Sequence, residues 1–346
     1  MTKDSGRAAT AAADSAAVRA TERPPTAASL GLPGAGVLAV LSLGWLVGML
    51  WSAQVTISAG AGGLAITAAA YSLPGVISAV LVAGAALGML AVTAMAAARA
   101  SGGAMGRRLP AWPERAGLRS AVAFGVGLVV GVAGAFAVVM AYGTGTASMI
   151  LAGTVAAAGT LGGAISALRS QPVVASAVAA TLAVFGIGFL FNLFKDPLLS
   201  LYGLGETAAS RVSAYNWFAV TVAICSGLAA GLVAYGVMRW TGRRGAGTRP
   251  GDPGGAGPRW PAYLAAGAGP GLLLLTAELI TRVGGARVLA LAGEVSDNDR
   301  TAVSWLDGSR INHTLVVLFV GAIMSTVAFG RTLPSPSNAD DEPAPG

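Results

Sequence analysis

The residue best suited to chemistry in this sequence is Glu278, the one acidic side chain well inside a long apolar stretch, residues 261–281. A carboxylate surrounded by apolar groups is costly unless it is paired, and it can otherwise hold a proton or a cation. Arg282 follows four residues later, the spacing at which two side chains share one face of a helix. The sequence therefore leaves two interpretations open: an ion pair near the end of the stretch, or a proton or cation site.

A glycine-rich run, residues 267–271, lies earlier in the same stretch and contains Pro270. Proline lacks a backbone N–H and disrupts the interior of a helix, so this run predicts either a kink or a broken helix. A broken helix frees backbone carbonyls that can coordinate a substrate. A second polar point is Asn192, which follows an aromatic segment and indicates a gate or an interfacial anchor. The candidate substrate pathway is therefore Glu278, Gly269, Pro270, Gly271 and Asn192.

The remaining reactive residues predict no catalytic or metal site. His313 and Cys225 are each the only residue of their type, so neither an internal disulfide nor a His or Cys metal cluster can form. Asp297 and Asp299 resemble the start of a calcium loop, but no glycine stands at its sixth position and no glutamate closes it. We find no phosphate-binding loop and no nucleophile elbow. We therefore expect no metal, no cofactor and no enzymatic activity.

The elements that would position these residues are long apolar helices. A helix needs roughly 20 apolar residues to cross a bilayer, and 54% of this chain is hydrophobic whereas 11% is charged. The fold class predicted is all-α, a polytopic transmembrane bundle of about eight spans. The predicted spans are residues 34–53, 75–98, 120–142, 148–168, 173–194, 215–238, 261–281 and 313–330.

Positive charge is distributed unequally between the two sides of these spans. With both termini on one side, that side holds 16 of the 22 Lys and Arg residues. The positive-inside rule therefore predicts that both termini are cytoplasmic. The net charge of +7 follows from this topology and needs no nucleic-acid partner. The bias toward Ala, Gly and Arg suggests a bacterial genome rich in G and C, so we expect a multi-pass protein of the bacterial cytoplasmic (inner) membrane.

The chain divides into two polar tails around one membrane domain. Residues 1–33 and 331–346 are poor in large apolar groups and are predicted to be disordered. Residues 34–330 form the membrane domain. Both halves of this domain, residues 34–168 and 173–330, carry an Arg-Arg pair and a Trp-Pro in a basic inner segment. This pattern is a weak indication of a repeat of four plus four spans, and chance similarity between basic loops also explains it.

Glycine pairs four residues apart predict close helix packing, because two backbones can approach where side chains are absent. The pairs we assign to packing are Gly127 with Gly131 and Gly227 with Gly231. Such surfaces serve contacts within the chain, a homo-oligomer or a membrane-protein partner. The lipid bilayer is the one partner that composition requires.

Three functions fit this sequence. The first is a transporter or permease-like component for a small apolar or amphipathic compound. The second is a non-catalytic scaffold or accessory subunit for partner proteins. The third is an intramembrane enzyme that acts on lipid-linked substrates with Glu278, Asp297 and Asp299. We take the first as the leading specific hypothesis because it uses the eight spans, the repeat and the glycine–proline run.

Overall fold

The computed structural model describes residues 31–58, 63–100, 116–142, 146–168, 170–246, 259–286 and 297–332. In these ranges all regular secondary structure is helical. The helices are α1 (Gly31–Ser58), α2 (Gly63–Ala100), α3 (Ala116–Tyr142), α4 (Thr146–Ser166), α5 (Gln171–Leu193), α6 (Lys195–Leu201), α7 (Ala208–Ala246), α8 (Trp260–Gly284) and α9 (Asp297–Gly330).

Every one of these helices except α6 is long and apolar enough to cross a membrane. The predicted fold class is therefore confirmed. The helices extend beyond several predicted spans: α2 begins at Gly63 and α9 at Asp297. Residues 63–74, which precede the predicted second span, form the first turns of α2. Most of the two predicted tails, residues 1–30 and 333–346, lies outside the described residues.

Two groups of four long helices make up the bundle. In the first half, α2 packs against α1, α3 and α4, and α3 packs against α4. In the second half, α5 packs against α7 and α8, while α9 packs against α7 and α8. The halves meet mainly where α8 contacts α2 and α4 and where α5 contacts α1 and α2.

The helices approach closely where glycines face another backbone. A Cβ placed on Gly127 would collide with Gly159 and Gly163 of α4, and one on Gly131 would collide with Ala156. Similarly, a Cβ on Gly227 or Gly231 of α7 would collide with α9, at Val320 and at Gly321 with Met324. The four glycines assigned to packing by sequence therefore all lie at helix–helix contacts within the chain.

Aromatic stacking also joins the two halves. The rings of Trp45 on α1 and Phe185 on α5 stack with centroids 5.2 Å apart and planes 7° from parallel. Trp45 is the tryptophan that sits in the middle of its span, where interfacial anchoring cannot explain it. Its indole instead contributes apolar area to the contact between the halves, in a geometry that aromatic pairs favour.

Candidate functional site

The carboxylate of Glu278 lies between two arginines at one end of the bundle. This end holds the 194–207 connection, the ends of α1, α3 and α8 and the starts of α2, α4 and α9. The charge pattern predicts that it faces outside the cell, and we refer to it as the predicted outer end. Glu278 Oε1 is 3.4 Å from Arg282 Nε, as the sequence spacing predicted. Glu278 Oε2 is 3.8 Å from Arg310 Nε, which belongs to α9. The residue is 6% exposed, so its charge is stabilised by ion pairs rather than by water.

The glycine–proline run of α8, residues 267–271, packs tightly against α5 and α9. The helix continues from Trp260 to Gly284 through Pro270, so the broken helix considered from the sequence is not present. A Cβ on Gly269 would collide with Ala177 of α5, and a Cβ on Gly271 would collide with Leu318 of α9. All three pathway residues of this run are buried between these neighbouring helices.

Asn192 is exposed, whereas the other residues of the predicted pathway are buried. It is exposed in the last turn of α5, just before Phe194 ends that helix and α6 begins. Helix α5 packs against α7 and α8, whereas the Glu278 cluster lies between α8 and α9. The structure thus brings Glu278 together with Arg282 and Arg310, whereas Asn192 is an exposed residue at the end of another helix.

An apolar cavity opens at the predicted outer end of the first half, between α1, α2, α3 and α4. Its volume is about 200 Å³. Buried side chains form its floor, among them Val138, Leu151 and Val155, and the exposed residues Val47 and Trp51 lie at its edge. Gln54 contributes an amide to the lining. Such a space suits an apolar group, since it offers almost no polar partner that could hold water.

Sequence reasoning did not reveal this cavity, because a cavity is a shortfall of packing between four helices that are separate in the chain. A shallower groove lies beside it, between α4 and α8, with Thr154 and Leu279 among its lining residues. None of the predicted pathway residues lines this cavity or this groove. The nearest sequence signal was the small side chains along α3 and α4, which also serve close packing.

Side chains cap the C-terminus of α4, at the end of the bundle opposite the cavity. This capping was not predicted from the sequence. Arg119 of α3 donates a hydrogen bond to the carbonyl of Leu168. The Gln171 side chain donates to the carbonyl of Ser166 at 2.8 Å. These bonds satisfy carbonyls that a helix leaves without partners in its last turn. Arg119 therefore has a structural role besides its contribution to the positive side.

Among the described residues, no three His, Cys, Asp or Glu side chains come close enough to hold a metal ion. Cys225 is a partly buried free thiol within α7. The side chains of Asp297 and Asp299 lie outside the described part of the structure, so the enzyme hypothesis that uses them stays a prediction.

Comparisons with protein-family profiles, with curated proteins and with solved structures find no match for this chain.

Proposed function

We propose that this protein is a permease-like component of a bacterial cytoplasmic membrane. It holds a small apolar or amphipathic compound in the cavity that α1, α2, α3 and α4 line. The cavity is the observation that carries this proposal. Apolar cavities of about 150 Å³ in other proteins stay dry and bind molecules of the size of benzene. The cavity of about 200 Å³ therefore has room for an aromatic ring or a short alkyl chain.

The position of the cavity supports entry from the membrane. Val47 and Trp51, at its edge, are 63% and 69% exposed on the surface that lipid would cover. A compound dissolved in the outer half of the bilayer would reach the cavity sideways, without crossing water. Gln54 could hydrogen-bond a polar end group of an amphipathic compound, because it lies toward the predicted outer end of the lining.

The test uses a phenyl diazirine, which is an apolar reagent that forms a carbene under light and inserts into nearby C–H bonds. The full-length protein is reconstituted in lipid nanodiscs, labelled and mapped by mass spectrometry. We expect adducts at Val138 and Leu151, which line the cavity although they are only 2% and 5% exposed. Val178, which is fully buried elsewhere, should stay unlabelled.

A matched pair of variants controls for lipid-facing labelling. Ala137→Phe places a ring in the cavity lining and should abolish the adducts at Val138 and Leu151. Ala133→Phe places the same ring on an exposed position of the same helix and should leave them unchanged. Equal labelling in wild type and Ala137→Phe, or no labelling of the lining in wild type, would contradict the proposal.

The second candidate function is a scaffold for partner proteins, and the closed packing of α8 favours it. Gly269 and Gly271 are in contact with α5 and α9, so the middle of this helix leaves no space for a substrate. A benzophenone amino acid at the exposed positions Val40, Val129 and Val283 tests this candidate in native membranes. A protein adduct of one discrete size at one position supports a scaffold, and adducts to lipid alone contradict it.

A further inference from the structure

In both halves of the bundle, residues at equivalent positions make the close contacts between helices. In the first half, Gly127 of α3 faces Gly159 and Gly163 of α4, and Gly131 faces Ala156. These contacts set the register of α3 against α4, that is, how far one helix is shifted along the other.

The second half repeats this register between α8 and α9. Gly267 faces Gly321 and Ser325, and Gly271 faces Leu318. At each contact the residue number in α8 exceeds that in α3 by 140, and the number in α9 exceeds that in α4 by 162. The same two offsets therefore relate the contacts without an insertion or a deletion in either helix.

Two further contacts follow these offsets. A Cβ on Gly163 would collide with the carbonyl of Ala123, and in the second half Ser325 Oγ donates to the carbonyl of Tyr263 at 2.9 Å. The third helix of each group agrees as well, because Gly84 of α2 faces the carbonyl of Gly159 and Gly231 of α7 faces that of Gly321. A high glycine content explains many close contacts, but it does not explain the common register of these two helix pairs or the equivalent carbonyls that Gly84 and Gly231 face.

We infer that α1–α4 and the group α5, α7, α8 and α9 are two copies of one four-helix unit, and that the apolar cavity of the first copy and the Glu278 cluster of the second are the same site. Applied to the cavity lining, the offsets relate Val138 to Glu278, Leu151 to His313 and Val155 to Val317. They also relate Ser148 to Arg310, the partner of Glu278 on α9.

Burial supports this correspondence. Val138 and Glu278 are 2% and 6% exposed, and Val155 and Val317 are both fully buried. Equivalent positions thus point into the helix bundle in both copies, but their chemistry differs. The first copy leaves an apolar space, and the second places a carboxylate paired with Arg310 at the corresponding position. The second copy therefore holds a closed site that would accept the same apolar class of compound once the ion pair is removed.

This inference rests on the proposed function only for the occupant of the site, and it is tested with the same phenyl diazirine. In the same protein, Glu278→Val/Arg310→Ser gives positions 278 and 310 of the second copy the residues of the first and removes the ion pairs. We expect new adducts around residues 277–281 and 313–317, absent from wild type. The reverse exchange, Val138→Glu/Ser148→Arg, should abolish the adducts at Leu151 and leave the second copy unchanged.

Thermal unfolding and size-exclusion elution identify variants that remain folded. If a folded Glu278→Val/Arg310→Ser variant acquires no adducts at these positions, or acquires them elsewhere, the equivalence of the two sites is overturned. If this variant does not fold, the reverse exchange decides: unchanged adducts at Leu151 overturn the inference. Absence of adducts at Val138 and Leu151 in wild type would contradict the proposed function, whereas new adducts in the double variant would still support the common site.

Discussion

Glu278 shows how a single buried charge is stabilised in this bundle. Its two carboxylate oxygens point to different arginines, one on its own helix and one on α9. The carboxylate side chain is 7% exposed, while those of Arg282 and Arg310 are 42% and 26% exposed. The arginines therefore reach toward the predicted outer surface and pair with the acid at the same time. Glu278 therefore links α8 to α9 through an interhelical ion pair, and it is also a candidate site residue.

At the residue scale we predict that Glu278→Gln destabilises the protein, because it removes the charge that both arginines face. Breaking a partly buried ionic hydrogen bond costs on the order of 1–3 kcal/mol, and partial exposure of the arginines keeps the loss toward the lower end. Thermal unfolding in detergent measures the change. Glu206→Gln, at an exposed position of the 194–207 connection, is the control and should leave the midpoint unchanged. An unchanged midpoint for Glu278→Gln would show that the pair contributes nothing.

At the scale of the helix, α3 with α4 and α8 with α9 are held at distances that only glycine permits. We predict that Gly159→Leu and Gly321→Leu each lower the thermal midpoint, because each added side chain would meet the backbone of a neighbouring helix. Overpacking of this kind costs about 1–3 kcal/mol or more. Gly186→Leu is the matched control, since a Cβ there meets nothing within 4 Å. Tolerance of leucine at Gly159 or Gly321 would mean that the helices do not cross as closely as described.

The end of α4 gives a second prediction at the same scale. Arg119→Ala removes one of two side-chain donors to the Leu168 carbonyl, the other being Gln171 Nε2 at 3.4 Å. The last turn of α4 should therefore open more readily. Hydrogen–deuterium exchange of residues 164–168 should therefore increase relative to wild type. Arg243→Ala removes an exposed arginine from the same predicted side and should leave that exchange unchanged. Equal exchange in the two variants would mean that Arg119 does not stabilise the end of α4 and contributes only its positive charge to that side of the bundle.

For the whole molecule, the charge distribution predicts the orientation of the bundle. In a Cys225→Ala background, Glu206→Cys should react with a membrane-impermeant maleimide in intact cells, because its connection is predicted to be external. Arg243→Cys, at the other end of the bundle, should react only in inverted vesicles. Both positions are exposed, so accessibility differs only by side. The opposite labelling pattern would invert the topology.

The sequence by itself determined the properties that depend on a continuous stretch of chain. The eight helices follow from the length of the apolar runs. The spacing of four residues on one helix gave the pairing of Glu278 with Arg282 as one of two interpretations, and the structure shows that pair. The likeness of the two halves was visible only as a weak pattern in two basic loops, because the contacts that relate them carry different side chains, such as Ala156 and Leu318.

Only the tertiary structure decided the features that join distant parts of the chain. Arg310 reaches Glu278 from another helix, and no local spacing records that distance. The glycine–proline run of α8 is a packing surface because α5 and α9 lie against it, although the sequence alone also allowed a broken helix. The cavity exists because four helices fail to fill the space between them. Such a shortfall is a property of the assembled bundle, since each helix that lines it is continuous and apolar on its own.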